Sequence, residues 1–466
     1  MAVSKFFAAK DLTQGTPWKR IVEFTIPMLI GNIAQQLYNT ADSIIVGRYI
    51  GDNALAAVGS AGPILNLLLV LFVGIAVGAG IMVAQYFGAR DRENLSRTIG
   101  TCITLTAFTS IIIMIVGPLV SRPLLELLNT PPSIIDWCTG YLNIFFLGIA
   151  GFSYYNILAG ILRGLGDSVS ALVFLLISTA LNVGLDILFV SQFGLGVPGV
   201  ALATVIAQGI SAVLCLFKLL RMTETFELKW SMLKPSPELS LAVIKLGLPS
   251  GLTQAIFSLA MIVVQSLTNS FGELVIACNV IVMRVDGFAM MPNFSFGAAM
   301  TTFAGQNIGA RKLDRVVKGS KQGTIIAVAV SATITTVLLF FGRHLMNVFT
   351  DTPELVALSM RMLRILAFGY IAVAVTQCLY GVMRGAGDAM TPMWISLITV
   401  VLIRVPTAYG LAYLTRSALY PTGRPESVFI SLLVSWSLGA LITSMVFRRG
   451  AWREKMVLVK KAGEAT

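Results

Sequence analysis

Gln85-Tyr86-Phe87-Gly88-Ala89-Arg90 recurs later in this chain as Gln306-Asn307-Ile308-Gly309-Ala310-Arg311. A second pair of motifs, Arg163-Gly164-Leu165-Gly166-Asp167 and Arg384-Gly385-Ala386-Gly387-Asp388, has the same spacing. One such match could arise by chance, but two at a single spacing indicate a duplicated structural unit. The motifs therefore predict two homologous halves.

The composition places these halves in a membrane. Only 12% of the 466 residues are charged and 56% are hydrophobic, whereas soluble domains carry roughly 25% charged residues. Continuous apolar stretches such as Ala171–Val190 and Gly323–Phe341 are close to the ~20 residues that a helix needs to cross a bilayer. A transmembrane barrel would show shorter, alternating segments. We predict an all-α integral membrane protein with about twelve transmembrane helices.

The distribution of basic residues orients these helices. When connections are assigned to alternating sides, 24 Lys and Arg fall on one side and five on the other. This asymmetry follows the positive-inside rule and predicts that both termini are cytoplasmic. The formal charge of +12 is thus explained by topology. Because no basic domain lies outside the membrane segments, a nucleic-acid partner is not expected.

Both copies of each motif fall in connections on the basic side, so the two halves share one orientation. We predict a parallel pseudo-two-fold repeat of two six-helix lobes around a central cleft. Residues 1–217 would form the N-terminal lobe, with helices 1–6. Residues 218–240 would be a cytoplasmic linker, and 241–466 the C-terminal lobe, with helices 7–12 and a short cytoplasmic tail.

The motifs have local structural explanations. Arg-Gly-x-Gly-Asp is typical of a tight turn in which glycine relieves steric restriction and the aspartate caps the next helix. Gly-Ala-Arg is typical of a helix C-terminus, where arginine complements the helix dipole. We therefore interpret both motifs as structural rather than as substrate contacts.

Together these features resemble the multidrug and toxic compound extrusion (MATE) family over essentially the whole chain. The resemblance lies in Pro27 through Asp42, in both Gly-Ala-Arg turns, in both Arg-Gly-x-Gly-Asp turns, and in Asn182-x-x-x-Asp186. It implies a V-shaped, twelve-helix antiporter that expels amphipathic, often cationic compounds in exchange for Na⁺ or H⁺.

Two carboxylates within the predicted membrane segments are the main candidates for ion coupling. Asp42 and Asp186 lie about five and four residues before the outer ends of predicted helices 1 and 5, and Asn182 is one turn below Asp186. Thr204 lies at a similar depth in helix 6. Their oxygen atoms would suit a hard cation such as Na⁺, or the two carboxylates could hold a proton. The resemblance implies the same four positions.

Two considerations bear on this assignment. Burying a carboxylate in a membrane costs ~2.5–3.5 kcal/mol on insertion scales, which favours a function for Asp42 and Asp186. Asn182 and Thr204 could instead only cross-link helices. The repeat places Ile403 and Thr407 at the positions equivalent to Asn182 and Asp186, so ion coupling is predicted for the N-terminal lobe.

The C-terminal lobe contains a third deep carboxylate, Asp286. It could attract cationic cargo toward a cleft lined by flexible Met and aromatic side chains. Alternatively, it pairs with an arginine of another helix, such as Arg404, and the Met and Phe residues only pack. The substrate-binding candidates are Asp286, Met290, Met291, Phe257 and Gln35. Phe257 also marks a departure, because some relatives have a glutamate there.

Pro27 is the candidate hinge, since proline removes a backbone hydrogen bond from the helix that carries Asp42. The predicted function is secondary export of small organic, cationic molecules from the plasma or inner membrane by a monomer, with no cofactor except the coupling Na⁺ or H⁺. A lipid-linked saccharide flippase is the alternative, although acidic cavity residues disfavour an anionic cargo. An enzyme is not expected, because the single histidine, His344, offers no cluster of catalytic groups.

Overall fold

The computed structural model describes residues 10–127 and 130–455. In this part of the chain the regular structure is helical, without strands. The first half contains α1 (Pro17–Tyr49), α2 (Asp52–Ala89), α3 (Arg92–Leu127), α4 (Pro132–Leu147), α5 (Ile149–Gly164), α6 (Ser168–Ile187) and α7 (Gly196–Leu220). The second half contains α8 (Pro237–Asn269), α9 (Glu273–Gly309), α10 (Leu313–Asn347), α11 (Pro353–Ala367), α12 (Gly369–Gly385), α13 (Met390–Ser396), α14 (Val405–Leu414) and α15 (Glu426–Arg449).

Four shorter segments have other helical forms. Leu188–Gln192 continues α6 as a π-helix, and Leu397–Arg404 is a π-helix that joins α13 to α14. Trp230–Leu233 and Ala451–Lys455 are short 3₁₀ helices. The predicted cytoplasmic tail after Lys455 lies outside the described residues.

The helices have the length and composition of membrane spans. Nine in the described part qualify alone, and two bent pairs, α4–α5 (53°) and α11–α12 (42°), raise the number to eleven. At 33 residues α1 is long enough to cross a membrane, but its charged and amide side chains make it more polar than these helices. The described residues thus contain nine to eleven apolar spans, and α1 is the candidate for a further one of the predicted twelve.

The repeat appears in the packing as well as in the sequence. A Cβ atom at Gly160 would lie 2.7 Å from the carbonyl oxygen of Ala76, and one at Gly381 would lie 2.2 Å from that of Gly297. The second pair of positions follows the first at the spacing of the sequence repeat. Glycine is needed at each point because the two helix backbones leave no room for a side chain. The same close helix crossing is therefore built twice.

The repeated motifs adopt the predicted conformations. Arg90 and Arg311, which end the Gly-Ala-Arg motifs, both have φ 59°, a left-handed geometry typical after a helix C-terminus. Gly166 and Gly387 have φ of 88° and 99°. Asp167 caps α6 by accepting a hydrogen bond from the Ser170 amide at 2.9 Å. The interpretation of both motifs as turns and caps is confirmed.

The chain forms two compact units whose limits differ from the predicted lobes. The first unit contains residues 10–11 and Ile26–Gly251, and the second contains Leu12–Thr25 and residues 252–455. The predicted linker, 218–240, and the beginning of α8 thus belong to the first unit. Conversely, the beginning of α1 belongs to the second.

Backbone contacts explain why the beginning of α8 belongs to the first unit. A Cβ at Gly74 would lie 2.7 Å from the Gly247 carbonyl oxygen, and one at Gly78 would lie 2.3 Å from that of Val243. The linker also packs on this unit, since the Thr104 hydroxyl donates to the Leu233 carbonyl at 2.6 Å. These tertiary contacts move the boundary from the linker to residue 251.

The segment before α1 is bound to the second unit by its main chain. The amide of the fully buried Leu12 donates to Gln306 Oε1 at 2.9 Å, and Asn307 Nδ2 donates to the Leu12 carbonyl at 3.2 Å. Arg315 donates to the carbonyls of Leu12, Gln14 and Gly15 at 2.5–3.3 Å. The repeated Gln-x-x-Gly-Ala-Arg motif thus holds the start of α1.

Candidate functional site: a carboxylate pair in the first unit

The four predicted coupling residues all lie in the first unit and come from three helices. Asp42 lies seven residues before the end of α1, and Asp186 six residues before the end of the π-helix that follows α6. Thr204 lies eight residues after the start of α7. Each helix extends two or three residues farther than predicted, so the predicted distances of these residues from the helix ends were too short. The three residues still lie at similar distances from the ends of their helices.

The structure brings these side chains together. The carboxyl groups of Asp42 and Asp186 lie beside each other, close enough to share a hydrogen bond when one is protonated. Asn182 Nδ2 donates to Thr204 Oγ1 at 3.3 Å. Asn182 and Asp186 are fully buried, and Thr204 is nearly so. The cross-link considered for Asn182 and Thr204 exists, but it uses only the nitrogen of the amide.

Four buried oxygen atoms in this cluster have no hydrogen-bond donor. They are Asp42 Oδ1, Asn182 Oδ1 and both carboxyl oxygens of Asp186. Buried acceptors of this kind are costly and in native proteins are usually satisfied by some partner. Because all four are oxygen acceptors, a small hard cation could be coordinated by them, and a proton could be shared between two of the carboxyl oxygens. The oxygen atoms of this cluster therefore suit a small cation or a proton.

No basic side chain neutralises the pair by direct contact. Among the ion pairs within 4.0 Å in residues 10–127 and 130–455, none involves Asp42 or Asp186. The same residues contain no cluster of three or more His, Cys, Asp or Glu side chains suited to a metal ion. The site thus offers two carboxylates with an amide and a hydroxyl.

Two tyrosines belong to this cluster and were not predicted. The Tyr38 hydroxyl is hydrogen-bonded to Thr204 Oγ1 at 3.2 Å. Tyr141, on α4, is buried close enough to Asp42 and Asp186 for their charges to act on its hydroxyl. Tyr38 precedes Asp42 by four residues, and that helical spacing is a signal that could have identified it. Tyr141 has no sequence relation to the other residues.

A π-helix follows the site directly. Leu188–Gln192 begins two residues after Asp186, and the Phe193 amide donates to the Leu188 carbonyl at 3.2 Å. Such turns widen a helix locally and are frequent at functional sites. Here the wider turn begins two residues after Asp186, which carries two of the four unpartnered oxygens.

The predicted substrate-binding residues are divided between the units. Gln35 lies in the first unit, whereas Asp286, Met290, Met291 and Phe257 lie in the second. Asp286 and both methionines are buried, and Met290 belongs to a hydrophobic core. For Met290 this favours the packing alternative. Arg404 is the basic group whose charge acts on Asp286, but the two form no ion pair within 4.0 Å, so the predicted pairing stays a prediction.

The candidate hinge, Pro27, lies inside α1, which continues through it. The boundary between the units falls between Thr25 and Ile26, beside this proline. On α8, Pro249 lies three residues before the boundary between Gly251 and Leu252. Both prolines thus mark the place where a helix passes from one unit to the other.

A helical membrane protein of two repeated units with ionisable side chains buried at membrane depth has the architecture of a secondary transporter. The MatE family model matches residues 27–188 and again 249–410, one match in each half. The chain therefore belongs to the MATE family of transporters, and the resemblance seen in the sequence is confirmed. Members of this family are transporters rather than enzymes.

The relatives agree over nearly the full length. The chain is 30% identical to the probable multidrug resistance protein YpnP of Bacillus subtilis, with 97% of this chain and 100% of that protein covered. It is 27% identical to the probable multidrug resistance protein YoeA of the same organism, with 94% and 95% covered. The probable multidrug resistance protein NorM of Thermotoga maritima is 23% identical, with 95% of each covered.

The fold matches solved MATE structures. A crystal structure of a MATE protein in the bent conformation superposes with a TM-score of 0.87 at 24% identity, covering 98% of each chain. An outward-facing multidrug resistance MATE transporter gives 0.87 at 24% identity, covering 97% of this chain and 98% of the other. The predicted all-α membrane fold with a two-fold repeat is confirmed.

Proposed function

We propose that this protein is a secondary antiporter that exports amphipathic, cationic small molecules in exchange for Na⁺ or H⁺. The coupling ion binds to Asp42, Asn182, Asp186 and Thr204. The observation that carries the proposal is the buried Asp42–Asp186 pair, with four acceptor oxygens that lack donors. An ion from outside the cell would satisfy them and would relieve the repulsion between two buried carboxylates.

The ion and the cargo must compete for antiport to occur. A cation in the first unit neutralises the acidic pair, and its departure restores the negative charge of the protein, which favours binding of a cationic cargo. Each ligand then favours a different state of the same protein, which is the requirement for coupled exchange. The acidic character of the pair also opposes an anionic cargo, so a lipid-linked saccharide is disfavoured.

Pro27 is the proposed point of bending. Solved structures of a MATE protein are described as straight and bent, and another is of a variant in which a proline is replaced by alanine. In the present chain α1 carries Asp42, belongs to two units, and lacks one backbone hydrogen bond at Pro27. Ion binding at Asp42 would thereby alter the balance between two shapes of α1.

The proposed location is the plasma or inner membrane, with both termini in the cytoplasm. The 24-to-5 distribution of Lys and Arg supports this orientation. Transport by a monomer is proposed as well, since each unit has its own core and its own ionisable site.

The test is dye efflux from proteoliposomes driven by a Na⁺ gradient or a pH gradient, applied separately. We expect one gradient to drive efflux in the parent protein, and Asp42→Asn and Asp186→Asn each to reduce that efflux at least about tenfold, since a neutral amide holds a cation or proton poorly. Asp136→Asn is the matched control, because Asp136 lies in the same unit but is 77% exposed.

Two results would refute the proposal. If neither gradient drives efflux of any cationic dye, the protein is not an antiporter of this kind. If Asp42→Asn and Asp186→Asn transport as well as Asp136→Asn, the coupling ion binds elsewhere.

A further inference from the structure

The second unit contains a buried acid–base cluster that the coupling site does not use. Asp286 on α9, Tyr370 on α12 and Arg404 at the end of the second π-helix are 8%, 0% and 7% exposed. Asp286 lies near both the Tyr370 hydroxyl and the Arg404 guanidinium, without a formed hydrogen bond or ion pair to either. Opposite charges thus lie within one helical unit, in contrast to the like charges of the first unit.

These three groups are close, but they do not satisfy one another. Asp286 and Arg404 form no ion pair within 4.0 Å, although both are described. Asp286 Oδ1, the Tyr370 hydroxyl and Arg404 Nε are all buried without a hydrogen-bond partner. One acceptor, one hydroxyl and one cationic donor therefore remain available on three different helical segments. Unpartnered charges this deeply buried need a compensating ligand.

The surroundings make the cluster rigid and apolar. Asn293 lies two turns after Asp286 on α9, and its Nδ2 donates to the Tyr370 carbonyl at 3.1 Å, while Ser331 Oγ donates to Asn293 Oδ1 at 2.7 Å. Tyr370 also packs against Trp436, with ring centroids 6.0 Å apart. The core residues of the same cluster are hydrophobic. The hydroxyl is therefore held in place without using its own hydrogen-bonding capacity.

The repeat shows that the fold does not require this cluster. In the first half, the positions equivalent to Asp286, Tyr370 and Arg404 are Leu65, Ile149 and Val183. All three are apolar, while the helix crossings around them are repeated. The three polar residues are thus an addition to the second unit rather than part of the common frame.

We propose that Asp286, Tyr370 and Arg404 form a specificity site for zwitterionic cargo. Asp286 binds the cationic group of the cargo, Arg404 binds its carboxylate, and the Tyr370 hydroxyl contributes a further hydrogen bond. The inference rests on the proposed export function and narrows its substrate class. A zwitterion satisfies both buried charges at once, whereas a simple cation leaves the guanidinium without a counter-ion, and unpaired buried charges are the strongest basis for rejecting a ligand.

The test uses two dyes with the same chromophore. Rhodamine B carries a cationic xanthene and a carboxylate, and its ethyl ester keeps only the cation. Binding to the purified protein and efflux from proteoliposomes are measured for each dye. We expect the parent to prefer the zwitterion, and Arg404→Gln to lower the zwitterion-to-ester ratio about tenfold, as loss of one partner of a buried charge pair usually does.

Further variants separate a binding role from a structural one. Arg404→Lys should retain most of the preference, because the charge remains. Asp286→Asn should weaken binding of both dyes, and the double variant Asp286→Asn/Arg404→Gln, which has no net change in charge, should bind both dyes weakly and without preference. If Arg404→Gln does not fold, Tyr370→Phe provides the same test, with an expected loss of several-fold in zwitterion binding only.

The failure of this inference can be distinguished from the failure of the proposed function. If Asp186→Asn still abolishes gradient-driven efflux of both dyes but Arg404→Gln leaves their ratio unchanged, the zwitterion site is refuted and the antiporter stands. The same holds if Arg404→Gln and Arg404→Lys lower the binding of both dyes equally.

Discussion

The two units share a frame but differ in the charges that they bury. In both, helices cross at equivalent glycines of the repeat, Gly160 in the first unit and Gly381 in the second. The first unit then places two carboxylates side by side, while the second places one carboxylate near an arginine. Like charges need a cation or a proton, and unlike charges suit a ligand with both signs. The two units thus share a scaffold, and the charges that they bury are the difference on which a division of ion and cargo binding is proposed.

The largest expected effect tests the shared frame. Gly160→Ala and Gly381→Ala should each destabilise the folded protein by about 1–3 kcal/mol or more, because the new Cβ would lie 2.7 and 2.2 Å from a backbone oxygen. Gly140→Ala and Gly410→Ala are matched controls, since a Cβ there meets nothing within 4 Å. The measurement is the temperature at which the detergent-solubilised protein loses its monodisperse peak. Equal tolerance at all four positions would contradict the shared crossing.

The second prediction concerns a substitution that makes the buried charges of the first unit resemble those of the second. Val183 is the repeat equivalent of Arg404 and lies three residues before Asp186 on one helix face. Val183→Arg should place a guanidinium beside the acidic pair and reduce ion-driven efflux about tenfold, because a fixed cation competes with a mobile one. Val183→Gln, polar but neutral, should retain most of the activity. Equal efflux in both variants would show that charge at this position has no influence on the site.

A smaller effect concerns the second layer of the coupling site. Tyr38→Phe removes the hydroxyl bonded to Thr204 at 3.2 Å and should cost about 1 kcal/mol, or several-fold in apparent ion affinity. The ion concentration that gives half-maximal efflux measures it. Tyr409→Phe, which removes a hydroxyl bonded to Val263 in the second unit, should leave that concentration unchanged. A shift of equal size in both would indicate a general loss of stability instead.

Much of this arrangement could be predicted from the sequence because it depends on local patterns. Arg90 and Arg311 end helices as their Gly-Ala-Arg motifs indicate, and Asp42, Asp186, Asn182 and Thr204 meet because helical rise converts sequence position into depth. Hydropathy and charge are properties of single residues along the chain, and together they predict the membrane helices and their orientation. These predictions needed no knowledge of which helices pack together.

Tertiary packing determined the rest. Tyr141 joins the site from α4, which has no pattern in common with α1 or α6. Leu12–Thr25 belongs to the second unit, and residues 237–251 belong to the first. Close backbone contacts, such as that of Gly74 with Gly247, determine this assignment. A glycine in a helix is visible in the sequence, but its partner helix is not. For the same reason the sequence could not show that Arg404 lies near enough to Asp286 for their charges to interact without forming an ion pair.

The most direct test of the division between units is ion binding to the purified protein, without any transport. Heat of binding is recorded during titration with Na⁺, and proton uptake is recorded with a pH indicator in weak buffer. For the ion that the parent binds, Asp186→Asn should abolish the signal and Asp286→Asn should leave it within about twofold. Loss of binding in Asp286→Asn with full binding in Asp186→Asn would contradict the account.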